Sequence, residues 1–494
     1  MVWFLITSGL FLGWSLGAND AANIFGTAVS TRMLKFKVAA GIACVFIIIG
    51  AMVDGAGATH TLGVLGDVNA LAGSFTVALA AALSVTILIR RGLPVSVSQA
   101  IVGAIIGWNI FTSSPTDIKS LINIIITWII NPALACGFTF LIFNGLKYIV
   151  AKSKIHMLEL DIYTRFGLII VAAFGSYSLG ANNVSKVIGV FITSSPFKDM
   201  VFFNYFQISG ITQLYLVGAL SMALGVITYS HKTISTIGSQ IYKLTPLSAF
   251  ACILGASITL FMFSSEGLSR IINSIGLPAI PLVPVSITQS MVGAVTGIGL
   301  AKGGRYINYK IIGKIALGWL ITPISAALIC LVSLFFVQNV FQQRVVNPIS
   351  FEVTVPVLSE LNKTGIATDD LKRLTEKVFA NQSEFRQSLN DIGIEKESVI
   401  FKIFQTAKVE SYRIDSNFAK QKLNPIYFSH EQIDAVKKLH NENFKHSWQI
   451  EDRLNLLSEE WRFLPDVPQN AGYNKEIGKK YELLFSTFKI QDSK

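Results

Sequence analysis

The sequence predicts an all-α polytopic membrane protein with two inverted-topology repeats, followed by a mainly helical soluble domain. Three observations support this fold class: the composition, a series of long apolar segments, and two pairs of duplicated polar motifs. Hydrophobic residues make up 51% of the 494 residues and charged residues only 14%, whereas soluble domains carry about 25% charged residues. The composition therefore excludes an ordinary soluble globular protein.

Ten apolar segments are long enough to be considered as membrane crossings, and the apolar character ends at Arg344. They are residues 2–29, 38–54, 69–89, 94–112, 120–150, 163–194, 205–229, 245–265, 284–301 and 311–342. We expect a first membrane repeat over 1–155, a second over 156–344, and the soluble domain over 345–494. The segments at 94–112 and 284–301 are re-entrant hairpins in an alternative interpretation, because both are rich in glycine.

The basic excess lies entirely in the apolar part of the chain. Residues 1–344 hold 20 Lys and Arg against 8 Asp and Glu, and residues 345–494 hold 21 against 22. With the N-terminus outside, the outer loops hold three basic residues, Lys119, Lys198 and Arg270, and the inner loops fifteen. Cytoplasmic loops carry this excess, so the charge indicates a topology and not a nucleic-acid partner. The inner set is Arg32, Lys35, Lys37, Arg90, Arg91, Lys147, Lys152, Lys154, Arg165, Lys232, Lys243, Lys302, Arg305, Lys310 and Lys314.

The apolar part contains an internal repeat. Four features recur in the same order, with offsets that rise from 163 to 191. Because each half has five apolar segments, an odd number, the second half enters the membrane from the opposite side. Such repeats place matching motifs near mid-membrane, where transporters bind substrate. The pairs are Gly17-Ala18-Asn19-Asp20 with Gly180-Ala181-Asn182-Asn183, Gly50 and Gly63 with Gly225 and Gly238, Pro94-Val95-Ser96 with Pro284-Val285-Ser286, and Trp128 and Pro132 with Trp319 and Pro323.

The Gly-Ala-Asn-Asp motif predicts a helix break with a cation site. Glycine within an apolar run exposes backbone groups, which the bilayer tolerates only around a polar cavity or a bound ion. Asp20 is the one acidic residue deep within a predicted span, and its burial costs about 3 kcal/mol on insertion scales. We expect the Asn19 and Asn23 amide oxygens to complete an oxygen shell for Na⁺ around Asp20. The alternative is a structural salt bridge or hydrogen bond.

The two Pro-Val-Ser loops predict an anion site. Proline leads each time into an apolar helix whose first turn offers hydroxyls, an amide and unpaired backbone N–H groups. Helix N-termini attract phosphate or sulfate without a fixed cation. The alternative for any single hydroxyl is ordinary packing between helices. The candidate residues are Ser96, Ser98 and Gln99 in the first loop and Ser286, Thr288 and Gln289 in the second.

These residues resemble the inorganic phosphate transporter (PiT) family, which also includes sulfate permeases. The resemblance covers roughly 1–340 and includes Gly-Ala-Asn-Asp-Ala-Ala-Asn-Ile-Phe-Gly-Thr at 17–27, Thr236-Ile237-Gly238 and Leu244-Thr245-Pro246. It implies an ion-coupled, secondary permease, expected to be a homodimer. It also implies roles in cation and anion binding for Asn19, Asp20, Asn23, Asn182, Ser96, Ser98, Ser286 and Thr288.

Four residues depart from the family pattern. Asn183 replaces an aspartate, Lys186 an asparagine aligned with Asn23, and Gln99 and Gln289 each replace a histidine. One hypothesis is that the Lys186 ammonium takes the place of one bound cation and contributes to the anion site. The alternative is that Lys186 snorkels or pairs with Asp20. We place Asn182 and Asn183 with Asn19 and Asp20 in the predicted cation site.

The expected function is phosphate symport with Na⁺ or H⁺, by alternating access, in the cell (inner) membrane. A sulfate permease of the same fold and an anion sensor that signals through the C-terminal domain are the alternatives. Hydrogen phosphate can donate a hydrogen bond and sulfate cannot, so the acceptors on Asp20, Gln99 and Gln289 favour phosphate. We expect no enzymatic activity and no cofactor besides the coupling ion.

Overall fold

The computed structural model describes residues 2–30, 33–90, 95–153, 155–197, 200–202, 206–233, 245–304, 309–415, 423, 427–465, 467 and 470–490. Within these ranges the chain forms eighteen α-helices and six short strands. It divides into two compact units, named here the membrane unit (Met1–Glu266 and Ile280–Asn347) and the tail unit (Gly267–Ala279 and Pro348–Lys494). The predicted domain limits at 155 and 344 stay predictions.

The membrane unit consists almost entirely of helices. They are α1 (Val2–Ser30), α2 (Phe36–Asp54), α3 (Ala56–Gly66), α4 (Leu71–Arg90), α5 (Val97–Thr112), α6 (Ile118–Ser153), α7 (Met157–Ile188), α8 (Gly210–Thr233), α9 (Pro246–Ser264), α11 (Ile287–Ala301) and α12 (Tyr309–Asn339), with α10 (Glu266–Ser274) assigned mostly to the tail unit. A short antiparallel pair, β1 (Met200–Phe202) and β2 (Phe206–Ile208), precedes α8.

Every predicted apolar segment coincides with one of these helices, which confirms the all-α membrane class. Seven helices of the described residues, α2, α4, α6, α7, α8, α9 and α12, are long and apolar enough to cross a bilayer. Helices α5 and α11 have 16 and 15 residues. A 16-residue helix is about 24 Å long, which is shorter than a bilayer core of about 30 Å. Among the ten predicted segments, the two with the re-entrant alternative therefore form helices shorter than the bilayer core.

The predicted helix break at Gly-Ala-Asn-Asp is wrong. Helix α1 continues from Val2 to Ser30 and α7 from Met157 to Ile188, so both motifs lie within regular helix. The glycines serve close packing instead. A Cβ atom on Gly17 would lie 1.9 Å from the Met222 carbonyl oxygen, and one on Gly180 would lie 2.1 Å from the Ile47 carbonyl oxygen. Only glycine permits backbones to approach this closely.

Equivalent helices of the two halves make equivalent contacts. Helix α1 packs against α8 as α7 packs against α2, and α6 packs against α11 as α12 packs against α5. A Cβ atom on Gly103 would lie 2.1 Å from the Pro323 carbonyl oxygen, and one on Gly293 equally near that of Pro132. The inversion relative to the bilayer stays a prediction. Several motif residues, Pro94, Thr236, Ile237, Gly238 and Leu244, lie outside the described residues.

The tail unit contains two copies of one pattern that the sequence reading missed. Within the described residues, each copy runs strand, α-helix, strand, α-helix, α-helix and encloses its own hydrophobic core. In the first copy the backbone of Phe351 also pairs with that of Lys408 in an isolated antiparallel β-bridge. In the second copy the backbone of Tyr412 pairs with that of Lys489 in the same way. The elements are β3 (Phe351–Glu352), α13 (Val355–Lys363), β4 (Val378–Phe379), α14 (Gln382–Asp391) and α15 (Glu397–Ala407), then β5 (Tyr412–Arg413), α16 (His430–Lys438), β6 (Asn443–Phe444), α17 (Ser447–Leu457) and α18 (Ala471–Phe488).

A half-buried carboxyl makes the tail unit sensitive to pH. Burial raises the pKa of Glu451 on α17 from 4.5 to about 7, and the negative charges of Asp452 and Glu360 add to the shift. The folded state therefore holds this proton more tightly than the unfolded state, and stability falls as pH rises from about 4.5 to about 7. We expect Glu451→Gln to raise the melting temperature of the tail unit at pH 8 but not at pH 4. Limited proteolysis of the full chain after heating measures the melting temperature of the tail unit at each pH. Equal effects of the substitution at pH 4 and pH 8 would contradict the raised pKa of Glu451.

Candidate functional site

The first cluster joins the two copies of the glycine motif. Asp20 on α1 is 3% exposed. Asn183 on α7 donates from Nδ2 to Asp20 Oδ2 at 2.9 Å, and Asn19 donates to Asp20 Oδ1 at 3.3 Å. Because α1 and α7 pack against each other, residues 163 positions apart share one buried network. Both of the carboxylate oxygens thus receive amide donors.

Lys186 extends this network away from the carboxylate. Its Nζ donates to Asn183 Oδ1 at 2.6 Å and to the Val285 carbonyl oxygen at 2.7 Å. The side chain is 1% exposed, so it does not snorkel. Asn183 lies between the ammonium of Lys186 and the carboxylate of Asp20 and bonds to both. The Asn183 amide therefore links the positive charge of Lys186 to the negative charge of Asp20.

Val285 of the second Pro-Val-Ser loop is the point where the glycine motif and the loops meet. Asn182 accepts from the Val285 backbone N–H at 2.9 Å and donates to the Val285 carbonyl oxygen at 2.8 Å. Ser98 Oγ of the first loop donates to the same carbonyl oxygen at 2.9 Å. The backbone of one residue thus connects α7 with the starts of α5 and α11.

The two loops lead into helix N-termini of the same design. Ser96 Oγ accepts from the Gln99 backbone N–H, and Ser286 Oγ accepts from the Gln289 backbone N–H, both at 3.4 Å. These serines are the N-cap residues of α5 and α11. Both helices therefore begin at the Pro-Val-Ser loops, where the sequence predicted helix N-termini. Ser98, Gln99, Thr288 and Gln289 lie buried in the first turns. A buried N-terminus carries partial positive charge and suits an anion.

Several buried polar atoms near these motifs find no hydrogen-bond partner in the described part of the chain. They are Nδ2 of Asn23, Oε1 of Gln99, and both amide atoms of Gln289. Buried polar atoms are normally paired with protein, water or ligand. Such atoms on three of the predicted residues leave both donors and acceptors open to water or to a polar ligand.

Asn131 on α6 is a site residue that sequence reasoning missed. Its Nδ2 donates to the Ser286 carbonyl oxygen at 3.0 Å, and its Oδ1 accepts from Ser290 Oγ at 2.7 Å. It therefore holds the first turn of α11 in place. An uncharged amide within a long apolar span, next to Pro132 of the repeat, was the available signal.

The predicted residues fall into three groups. Hydrogen bonds join Asn19, Asp20, Asn182, Asn183, Lys186 and Ser98 into one network. Ser96 and Ser286 cap their own helices. Gln99 on α5, Thr288 and Gln289 on α11, and Asn23 on α1 are buried outside that network. All twelve belong to the membrane unit, and the structure itself assigns no ligand to any of them.

Comparison with known proteins gives a consistent result. Residues 16–330 match the Phosphate transporter family. A Methanocaldococcus jannaschii protein, provisionally named a phosphate permease, is 28% identical over 65% of this chain and 92% of its own length. A Haemophilus influenzae protein of the same provisional name is 25% identical over 69% and 97%. A solved structure described as the sodium-dependent phosphate transporter shares the fold, with a TM-score of 0.53, 21% identity, and coverage of 68% of this chain and 98% of that one.

Proposed function

Because the chain belongs to the phosphate transporter family, we propose that it is a secondary active transporter which carries inorganic phosphate through the membrane together with Na⁺. It is an integral multi-pass membrane protein and a phosphate transporter, not an enzyme. The coupling ion and the transport cycle are the proposed part. The observation that carries the proposal is the buried polar cluster at which α1, α7, α5 and α11 meet.

Asp20 is the proposed cation ligand. Its carboxylate is buried in a unit of apolar helices, where a negative charge needs a compensating positive one. The nearest fixed positive charge in the network, Lys186, is separated from it by the Asn183 amide. A Na⁺ ion at Asp20 would supply the compensation, since carboxylate and amide oxygens are the ligands that hard cations prefer.

The starts of α5 and α11 are the proposed anion site. Capped helix N-termini supply donors and partial positive charge, and they bind an anion weakly enough for release. The Gln289 amide carries a buried acceptor without a partner in either orientation of the amide. Hydrogen phosphate can donate an O–H to this acceptor, and sulfate at neutral pH cannot. This difference favours phosphate over sulfate.

Alternating access is the proposed cycle. The network spans the two halves, and equivalent helices of the halves make equivalent contacts. Two such halves can exchange their arrangements and so open the shared site to either side. Loading of Asp20 and of the helix N-termini together would link movement of the anion to movement of the cation.

Reconstitution in liposomes tests the function. We expect radiolabelled phosphate uptake to be driven by an inward Na⁺ gradient, and excess unlabelled sulfate to leave it nearly unchanged. Protein-free liposomes and a K⁺ gradient of equal size are the controls. Transport of sulfate in place of phosphate would overturn the substrate. Phosphate uptake that follows a proton gradient and ignores Na⁺ would overturn the coupling ion.

A further inference from the structure

The head group of Lys186 is held by two uncharged oxygens of the second half. Its Nζ lies 2.6 Å from the Asn183 amide oxygen and 2.7 Å from the Val285 carbonyl oxygen. Both ligands are uncharged oxygens, and the lysine side chain is 1% exposed. Amide and carbonyl oxygens are also what a buried Na⁺ takes as ligands. The ammonium thus occupies oxygens that could otherwise hold a mobile ion.

The first half carries the same framework without the lysine. The sequence repeat pairs Asn19 with Asn182, Asp20 with Asn183, and Asn23 with Lys186. In the first half the carboxylate of Asp20 stands where the second half has an amide, and the side chain at 23 is a short amide. The Nδ2 atom of Asn23 is buried without a partner in the described residues. One half therefore has a negative charge and no cation, and the other a cation and no negative charge.

We propose that Lys186 is a tethered cation that permanently fills the cation position of the second half, so that one exchangeable Na⁺, at Asp20, accompanies each anion. This inference rests on the proposed function. The ammonium donates hydrogen bonds where Na⁺ would accept lone pairs, and it excludes the ion from the Asn183 and Val285 oxygens. Because Val285 directly precedes Ser286, the fixed charge also stands beside the N-terminus of α11 and supports anion binding.

The replacement Lys186→Asn tests the inference, because it gives the second half the residue found in the first. The Asn183 and Val285 oxygens then lose the ammonium donor, and the new amide adds a third oxygen beside them. In proteoliposomes, we expect phosphate uptake of the natural protein to depend on Na⁺ with a Hill coefficient of about 1, and that of Lys186→Asn to approach about 2. The variant should bind phosphate more weakly at low Na⁺ and recover at high Na⁺. Lys186→Met, which offers no oxygen ligand, should lose affinity without recovery.

The ratio of transported ²²Na⁺ to ³²P-phosphate in the natural protein decides the question even where a variant does not fold. One Na⁺ per phosphate supports the inference. Two per phosphate, or a Lys186→Asn variant that folds and keeps the Na⁺ dependence of the natural protein, would overturn it while leaving Na⁺-coupled phosphate transport intact. Absence of Na⁺-driven phosphate uptake would overturn the proposed function and this inference together.

Discussion

Replacement of Asp20 by asparagine is expected to abolish Na⁺-driven phosphate uptake. The variant removes the one negative charge of the buried network, and with it the carboxylate that is the proposed Na⁺ ligand. In the proposed buried pair of the Asp20 carboxylate and a bound Na⁺, loss of the carboxylate costs about 3–5 kcal/mol, and in binding free energy this is a loss of roughly 100-fold or more in cation affinity. Initial uptake rates under an inward Na⁺ gradient measure the effect.

Asp54→Asn is the matched control for this experiment. Asp54 also lies in the membrane unit, at the end of α2, where it accepts a hydrogen bond from the Tyr177 hydroxyl at 2.7 Å. It is outside the Asp20 network, so its variant should keep the Na⁺ dependence of uptake. Asp20→Asn protein that elutes as a folded species and still takes up phosphate at near-natural rates would show that Asp20 is not a cation ligand.

Replacement of Gly50 by alanine is expected to prevent stable assembly of the membrane unit. A Cβ atom at this position would lie 2.0 Å from the Tyr177 carbonyl oxygen and 3.0 Å from its Cα. These are backbone atoms, so α2 and α7 would have to move apart along their contact. Overpacking of ordinary sites costs about 1–3 kcal/mol, and a contact under 2.5 Å with backbone should exceed that range. The yield of monodisperse protein in detergent and its melting temperature measure the loss.

Gly41→Ala tests the same chemical change in the same helix. A Cβ atom on Gly41 would meet no heavy atom within 4 Å, and alanine has a higher helix propensity than glycine. We expect its yield and melting temperature to equal or exceed those of the natural protein. Similar behaviour of the two variants would mean that close approach of α2 and α7 does not require glycine.

The helices and the candidate residues could be predicted from sequence because they depend on local patterns. Long apolar segments predicted all ten corresponding helices, and the Pro-Val-Ser motifs predicted two helix N-termini that the structure places at Ser96 and Ser286. The two copies in the tail unit were missed because their strands are two residues long, too short for an alternating pattern to be recognised. Asn131 was missed because its role depends on a partner 155 residues away.

By itself, the sequence determined the membrane class, the pairing of motifs between two halves, and the set of polar residues worth attention, since apolar length and repetition are properties of the chain. Only the tertiary structure decided what the glycines do and how Lys186 is held. A glycine within an apolar run either breaks its helix or lets another helix pack closely against it. Which of the two occurs depends on whether a backbone carbonyl of another helix, such as that of Met222, lies against the glycine. Whether the Lys186 ammonium reaches the membrane surface or bonds to buried oxygens depends likewise on where Asn183 and Val285 lie. Both answers come from contacts between residues far apart in sequence, which no local pattern contains.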